Sequence, residues 1–268
     1  MNSLSIWEIF KNLFDYTQAF LIKKPGPIII YITLVLLFSL INNFIPKDLV
    51  LINVSFSIFW TIISNAFLIN IGHIVRDNKD VISFEKAIKQ KQTLEFFTEY
   101  LKESLGMLLG NVLVFFIIFI GEALVLNFSG LLTALYATKN HYDFFAVNYN
   151  LPMGLALAFM LITLSMISYV APYVYAGVYA SDSFLEAFSR VFDLISFSIW
   201  KKTLNLQYFF DVSMWFVYST MVIVMILPLM FYAIVAPLGL IILAIYIIQF
   251  PMFSVMIRYW RSDKYDAI

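Results

Sequence analysis

Long apolar runs constrain the fold of this chain more than any other feature of its sequence. The runs 27–45, 49–74, 105–128, 151–178 and 212–257 together contain a single charged residue, Glu122. A helix needs about 20 apolar residues to cross a hydrocarbon core of about 30 Å. The first four runs therefore predict one membrane span each, and the last, which is about twice that length, predicts two. The expected fold is an all-α bundle of six transmembrane helices.

The overall composition agrees with a polytopic membrane protein. Hydrophobic residues make up 62% of the chain and charged residues 13%, whereas soluble domains have about 45–50% and about 25%. The formal net charge is +0, so no basic field attracts nucleic acid. The absence of cysteine excludes disulfides, thiolate metal ligands and cysteine nucleophiles. We expect residues 1–268 to form a single integral membrane domain that is surrounded by the lipid bilayer.

A short phrase occurs three times along the chain. Residues 5–15 read SIWEIFKNLFD and residues 183–193 read SFLEAFSRVFD, and a looser copy at 83–88 reads SFEKAI. Each copy precedes two of the predicted spans. We interpret the chain as three parallel repeats of an amphipathic helix followed by a transmembrane hairpin, with units at about 1–74, 75–178 and 179–268.

The phrase predicts where the amphipathic helices begin. A serine followed three residues later by a glutamate is a capping box, so helices are expected to start at Ser5 and Ser183. The middle copy has Lys86 in the position of the glutamate, and its helix is expected to break and restart near Thr93. We interpret all three as helices that lie in the membrane interface, with their apolar sides among the lipid headgroups.

The basic residues predict the orientation of the bundle. All Lys and Arg except Lys47 and Lys139 lie in the N-terminal arm, in the two polar segments that carry the second and third copies, or in the C-terminal tail. By the positive-inside rule, both termini and the three amphipathic helices are expected to be cytoplasmic. Each even-numbered span also ends in a polar pair that closes with aspartate: Arg76-Asp77, Ser181-Asp182 and Ser262-Asp263.

Glu122 is the first candidate for a substrate path. It lies six residues before the outer end of the third span, about 9 Å into the membrane at 1.5 Å per residue. A charged side chain costs about 2.5–3.5 kcal/mol at the bilayer centre, so it is expected to face the bundle or a wet cavity. The functional interpretation is a substrate or proton site. The alternative is a carboxylate that reaches the outer interface or is protonated against a neighbour.

A polar stripe on the second span supplies the other candidates. Asn53, Ser57, Thr61 and Asn65 recur at intervals of four and therefore share one helix face. One interpretation is hydrogen bonding between helices, and the other is a pathway for a solute. Both interpretations remain open at this point.

Other motifs indicate packing more than chemistry. Gly106 and Gly110 form the Gly-x-x-x-Gly pattern of close helix contacts. His73 and Asp77 lie one helical turn apart but lack a third metal ligand nearby in the sequence, and the chain has two histidines in total. No hydrolase, metalloprotease or phosphate-loop motif occurs in the sequence. We therefore predict no catalytic residue, no metal site and no cofactor.

The repeated alternation of a helix carrying Ser-Phe-x-Glu-Ala-Phe, seen at 183–188, with membrane hairpins resembles prokaryotic six-span membrane proteins. It is similar to the membrane domain fused to some glycerophosphoryl diester phosphodiesterases. The resemblance implies an integral protein of a prokaryotic plasma membrane. It carries over no catalytic residue, because the phosphodiesterase active site belongs to a soluble barrel that this chain lacks.

These features favour a non-enzymatic integral membrane protein whose cytoplasmic helices dock a partner or organise the membrane. The expected partner is a cytoplasmic protein or a second copy of the chain. The alternative is a permease-like transporter subunit of the ABC export type, which would move an apolar or lipid-like solute along the polar stripe and Glu122. Such permeases share an N-terminal surface helix and a cytoplasmic coupling segment after the second span.

Overall fold

The computed structural model describes residues 15–16, 19–46, 48–78, 80–137, 150–206 and 208–210, together with scattered positions up to 224. The regular elements in these ranges are helices, and no strand occurs among them. In chain order they are α1 (Pro25–Phe44), α2 (Val50–Asp77), α3 (Val81–Gln90), α4 (Glu95–Thr98), α5 (Leu101–Phe128), α6 (Leu131–Tyr136), α7 (Leu151–Val178), α8 (Phe184–Val191) and α9 (Phe197–Thr203). A π-helical turn, Ala19–Lys23, precedes α1, and a 3₁₀ turn, Phe192–Ile195, joins α8 to α9.

Three of these helices, α2, α5 and α7, are long and apolar enough to cross a membrane. Each has 28 residues, which corresponds to about 42 Å of helix. Their bounds, and those of α1, agree within a few residues with four of the predicted spans. All but six scattered residues of 212–257, where two spans are predicted, lie outside the described residues, so the count of six and the third repeat stay predictions.

The long helices α2 and α7 run in one direction and α5 runs in the opposite direction, which defines two ends of the structure. Helices α2 and α7 finish side by side, where Gly72 lies against Tyr179. Helix α5 begins near the same end, where its Gly106 lies against Phe184 of α8. We call this the basic end, because Arg76 and Lys102 lie there, and the opposite end the far end. The sequence predicts that the basic end is cytoplasmic.

The N-cap of helix α3 is Asp80, three residues before the serine of the middle phrase. The Asp80 carboxylate accepts from the Ser83 N–H at 2.8 Å, and the Ser83 hydroxyl accepts from the Asp80 N–H at 3.4 Å, which completes a reciprocal capping box. Ser83 is therefore the third residue of the helix, and Lys86 has no capping position to fill. The break predicted near Thr93 is confirmed, because α3 ends at Gln90 and α4 begins at Glu95.

Helix α8 begins where the sequence predicted. The Ser183 hydroxyl accepts from the Glu186 N–H at 3.2 Å. The Glu186 carboxylate accepts from the Asp182 N–H at 3.0 Å and binds Arg190 at 2.8 Å. The start at Ser183 is thus confirmed, whereas the start predicted at Ser5 lies outside the described part of the chain.

The apolar faces of these short helices pack on protein, which differs from the predicted placement among lipid headgroups. Phe84 and Ile88 of α3 are fully buried, and the Phe84 ring lies 5.0 Å from that of Tyr16. Ala187 and Val191 of α8 are fully buried as well. The long helices exceed a hydrocarbon core of about 30 Å by about 12 Å, so they offer protein surface outside the membrane for these faces to cover.

Candidate functional site

Arg76 joins α2 to the segment that follows α7. Its Nε donates to the Asp77 carboxylate at 2.8 Å, and its Nη1 donates to the Ala180 carbonyl at 2.8 Å and to the Asp182 carboxylate at 2.7 Å. The polar pairs that end the second and fourth predicted spans therefore meet in space. The third pair, 262–263, lies outside the described residues. Because both carboxylates are more than half exposed, solvent screening keeps each exposed ion pair within about 1 kcal/mol.

His73 lies one turn before Arg76 and is buried at the same junction. Its Nε2 is 3.0 Å from the Ser181 carbonyl, so we assign the proton of the neutral ring to Nε2. The unprotonated Nδ1 then lies 3.6 Å from the Asp182 carboxylate. The ring stacks on Tyr100 with a centroid distance of 4.2 Å. The imidazole therefore contributes a hydrogen bond and a flat packing surface to the contact between the two long helices.

The structure adds neighbours to His73 and Asp77, the pair for which the sequence offered no third metal ligand. Asp182 approaches His73, but the Arg76 guanidinium binds both Asp77 and Asp182 and supplies the positive charge between them. Within the described ranges, no group of three or more His, Asp or Glu side chains is arranged to hold a metal ion.

An open cavity of about 360 Å³ lies beside His73 at the basic end. It is bounded by α2, by α3 and by the segment that leads to α5. The lining residues are His73, Ile74, Asp77, Asn78, Ala87, Gln90, Lys91 and Tyr100. Its volume falls at the lower end of the range of about 300–1,000 Å³ that is typical of ligand pockets. The cavity has room for one protruding side chain or for a small polar ligand.

Lys91 carries the positive charge in the wall of this cavity. It forms an ion pair with Glu99, and its Nζ lies 5.5 Å from the centroid of the Tyr100 ring. Burial and the Glu99 carboxylate raise the pKa of Tyr100 to about 12, so the phenol stays a neutral hydrogen-bonding group. The Lys91 charge is therefore held by a carboxylate and by an aromatic face.

Asn70 continues this polar network into the interior. Its Nδ2 donates to the Glu99 carboxylate at 3.0 Å and to the Glu95 carbonyl at 3.1 Å. Its Oδ1 is buried and has no hydrogen-bond partner among the residues that the structure describes. An unsatisfied buried acceptor costs about 1–3 kcal/mol. The network thus holds α4 against α2 while leaving one acceptor unused.

Lys24 connects the N-terminal arm to α3, which forms part of the cavity wall. Its Nζ donates to the carbonyls of Lys89 and Lys91, at 3.1 Å and 2.7 Å. These carbonyls belong to the last turn and the C-cap of α3, where the helix dipole favours a cation. The first predicted unit therefore caps a helix of the second.

The Gly-x-x-x-Gly pattern receives α8, a short helix of the third predicted unit. A Cβ atom on Gly106 would lie 2.3 Å from the Phe184 carbonyl oxygen, and one on Gly110 would lie 2.8 Å from that of Phe188. Only glycine permits backbones to approach this closely. The pattern predicted close helix packing correctly, and the structure adds that the partner is a short helix at the basic end.

Glu122 lies far from this polar layer, about 27 Å along α5 from Ser104. Both carboxylate oxygens are covered by protein atoms, yet neither has a hydrogen-bond partner within the described ranges. Thr163 of α7 lies beside the carboxylate. The residue therefore faces α7, and whether it lies on a substrate path stays a prediction.

The four residues of the polar stripe are spread over the length of α2 and are not brought to one site. The Asn53 amide donates to the Pro46 carbonyl at 3.1 Å, which closes the turn between α1 and α2. The Thr61 hydroxyl donates to the carbonyl of Ser57 on its own helix at 2.8 Å. Ser57 is exposed, whereas Asn65 is buried. These two bonds are local, and the pathway hypothesis stays a prediction.

Sequence reasoning missed the cluster around His73 as a candidate site. Tyr100 and Asn70 carried no signal, because single polar residues next to apolar runs are common. The recurring Asp at the end of each even-numbered span was the available signal, since equivalent ends of parallel repeats lie on one side of the membrane. No family model, no curated protein and no solved structure matches this chain.

Proposed function

We propose that this protein is a non-enzymatic integral membrane protein whose helices at the basic end dock a partner on the cytoplasmic side. The observation that supports this most directly is the open cavity beside His73. Its wall combines an aromatic face, a paired lysine and amide groups, which suits the insertion of one side chain from a partner.

The chemistry of the cavity wall favours binding over catalysis. The Nε2 atom of His73 is engaged by the Ser181 carbonyl, and the ammonium of Lys91 is engaged by Glu99. The raised pKa of Tyr100, about 12, keeps its phenol protonated near neutral pH. Lys91 and Tyr100 therefore offer fixed, protonated donors, which suits the recognition of a polar side chain.

The helices around the cavity are held in place by contacts with several other segments of the chain. Lys24 ties the N-terminal arm to α3, and Arg76 ties α2 to the segment after α7. Gly106 admits α8 against α5. A site that is fixed before binding loses less entropy when a partner arrives, which favours a docking role.

In-cell photo-crosslinking tests the docking proposal. A photo-reactive residue in place of the exposed Gln90, at the cavity, is expected to yield one defined protein adduct. The same residue in place of the exposed Lys102, which is not among the lining residues, serves as the matched control. The substitution Asn78→Trp, which fills the cavity, should abolish the adduct. Equal adducts from both positions, or none from position 90, would reject the proposal.

The mass of the adduct identifies the class of partner. An adduct of twice the chain mass indicates a second copy and hence a homo-oligomer. A larger or smaller adduct indicates a cytoplasmic protein. A stoichiometric ATPase as the crosslinked protein would instead favour a permease-like subunit.

The second candidate function is that permease-like subunit, of the ABC export type, for an apolar or lipid-like solute. The supporting observation is the Glu122 carboxylate, which is covered and lacks a hydrogen-bond partner within the described ranges of an otherwise apolar region. Unpaired carboxylates in membrane helices commonly mark solute or proton paths. Cysteine substitution at Asn53, Ser57, Thr61 and Asn65 tests the path, since the chain has no native cysteine. Labelling by a polar thiol reagent supports a path, and protection along the whole stripe rejects it.

A further inference from the structure

Helix α9 lies at a defined height along α7. The Tyr169 hydroxyl donates to the Thr203 carbonyl at 2.9 Å, and the Tyr208 hydroxyl donates to the Tyr169 carbonyl at 2.7 Å. Tyr169 lies nine residues before the end of α7 at Val178, which corresponds to about 14 Å of helix. The end of α9 and the turn that follows it are therefore about 14 Å from the basic end of α7.

This height coincides with the expected edge of the hydrocarbon core. Helix α7 is about 12 Å longer than a core of about 30 Å. The far end of α7 exposes the apolar side chains Leu151, Leu155 and Phe159, whereas Tyr173, Val174 and Ser181 towards the basic end are buried by protein. The excess length therefore lies at the basic end, and Tyr169 is near the boundary between acyl chains and headgroups.

Aromatic residues with polar tips gather at the same height. The Tyr208 ring lies 5.1 Å from that of Tyr169 and 6.1 Å from that of Tyr173, with edge-to-face geometry in both pairs. The indole N–H of Trp200 donates to the Leu194 carbonyl at 2.7 Å. Because Tyr173 and Tyr208 are buried, these contacts fix α9 and the turn after it against α7 and so set their height.

The outer surface of α9 combines exposed apolar side chains with lysine. Phe197 is 78% exposed and Leu206 is 76% exposed. Leu204 and Lys201 are exposed beside them. Lys202 is half-buried and interacts with the half-buried Asp193, so Lys201 has the more available ammonium. Exposed apolar side chains next to lysines are typical of helices that lie in a membrane interface.

We infer that α9 and the turn after it bind an anionic phospholipid. Phe197, Leu204 and Leu206 contact the upper acyl chains, and Lys201, with a weaker contribution from Lys202, binds the headgroup phosphate. Further towards the far end, α7 exposes the apolar side chains Leu161 and Leu164. This apolar surface on the adjoining helix and the positive charge favour lipid over an acidic protein surface. The inference goes beyond docking at the cavity and uses a different helix, so either proposal can fail alone.

Lipid selectivity of the purified full chain tests the inference. The chain is placed in nanodiscs with phosphatidylcholine and a minority of phosphatidylglycerol, and bound lipids are counted by native mass spectrometry. Each lysine near an anionic leaflet strengthens binding about fivefold. The wild type should therefore prefer phosphatidylglycerol, and Lys201→Gln with Lys202→Gln should lower this preference about 5- to 25-fold.

The matched control is Lys86→Gln with Lys102→Gln, which removes two exposed lysines from the same end but outside α9. It should keep the preference within about twofold of the wild type, since surface charges far from the lipid are screened. An unchanged preference in the Lys201/Lys202 variant, or an equal loss in the control, would overturn the inference. Far-ultraviolet circular dichroism and monodisperse elution verify that each variant is folded.

Two further measurements distinguish an anionic lipid at this site from free phosphate and from a protein partner. Inorganic phosphate at millimolar concentration should leave the phosphatidylglycerol count unchanged, and displacement by it would reassign the site to free phosphate. A photo-reactive residue in place of Phe197 should yield lipid adducts in cells. A protein adduct in place of lipid there would overturn the inference in favour of a protein surface.

Discussion

The two ends of the same long helices have opposite surroundings. On α2, residues Asn65–Val75 are buried without interruption, whereas Leu51 and Phe59 towards the far end are exposed. On α5, Gly106 and Gly110 are buried, whereas Phe119 is 71% exposed. The basic end is packed like a soluble protein, and the far end presents apolar surface to hydrocarbon. A single helix thus passes from a protein environment at one end to an apolar environment at the other.

This difference in packing predicts where substitutions should lower the stability of the protein. At the basic end, short helices and polar networks surround the long helices, so side chains there have specific neighbours. At the far end, exposed apolar side chains face an environment that is as apolar as they are. Replacing a side chain should therefore cost stability at the first end and little at the second.

The largest expected effect is that of truncating an aromatic residue at the basic end. Phe67 is fully buried, and its ring stacks on Tyr31 at 4.9 Å and on Phe97 at 5.1 Å. Phe67→Ala should cost about 3–5 kcal/mol through the cavity that it leaves. Thermal unfolding in detergent measures this, and Phe119→Ala, the matched control at the far end, should change stability by about 1 kcal/mol or less. Equal losses of stability in the two variants would contradict the proposed difference in packing between the two ends.

The second effect is that of adding a methyl group where α8 meets α5. Gly106→Ala places its Cβ 2.3 Å from the Phe184 carbonyl oxygen, so α8 has to move away. The expected loss is about 1–3 kcal/mol. Hydrogen exchange should increase in α8. Gly121→Ala on the same helix has no atom within 4 Å of its Cβ and should be neutral or slightly stabilising.

The third effect is that of removing the charge that joins the polar pairs. Arg76→Gln loses the bonds to the Ala180 carbonyl and the Asp182 carboxylate. Hydrogen bonds to charged groups contribute about 1.5–3 kcal/mol, and the exposure of Asp182 lowers the expected loss to about 1–2 kcal/mol. Chemical denaturation measures it. Lys102→Gln, at an exposed position of the same end, should have no measurable effect.

The smallest effect concerns the pH dependence of stability at Asp193. Burial raises the pKa of this carboxyl, and the nearby Arg190 and Lys202 partly oppose the shift. The folded state then binds the proton more tightly than the unfolded state, so this group adds stability as the pH falls from its folded towards its unfolded pKa. Asp193→Asn should raise the melting temperature at pH 7 by about 1–2 °C.

Melting curves at several pH values sharpen this prediction. The advantage of Asp193→Asn over the wild type should shrink as the pH falls, because the wild-type carboxyl becomes neutral as well. An advantage that is independent of pH would contradict a role for the charge. Asp182→Asn gives a contrast, because it removes the negative charge that pairs with Arg76 and should not stabilise the protein.

Much of the helical layout was predictable because it depends on local patterns. Four predicted spans agree with α1, α2, α5 and α7, since an apolar run of membrane length has few alternatives to a helix. The start at Ser183 and the break near Thr93 followed from hydrogen bonds within one turn of chain. The cap at Asp80 was missed, because a Ser at the third helical position can replace the expected glutamate in a capping box.

The cluster at the basic end was not predictable in the same way. Arg76 and Ala180, and His73 and Ser181, are more than 100 positions apart in the chain. No local periodicity encodes which helix lies beside which. The Gly-x-x-x-Gly pattern indicated a close contact without naming its partner, and the structure assigned the partner to α8.

By itself, the sequence determined that the chain is helical, where four of its apolar helices run and which end carries the basic residues. These properties depend on hydrophobicity, hydrogen bonding within a helix and charge counts. All three can be read from residues that are close together in the sequence. Tertiary structure alone decided that α3 and α8 pack on protein, that Arg76 joins two polar pairs and that a cavity opens beside His73. Those features depend on distances between residues far apart in the chain, which only the packed backbone sets.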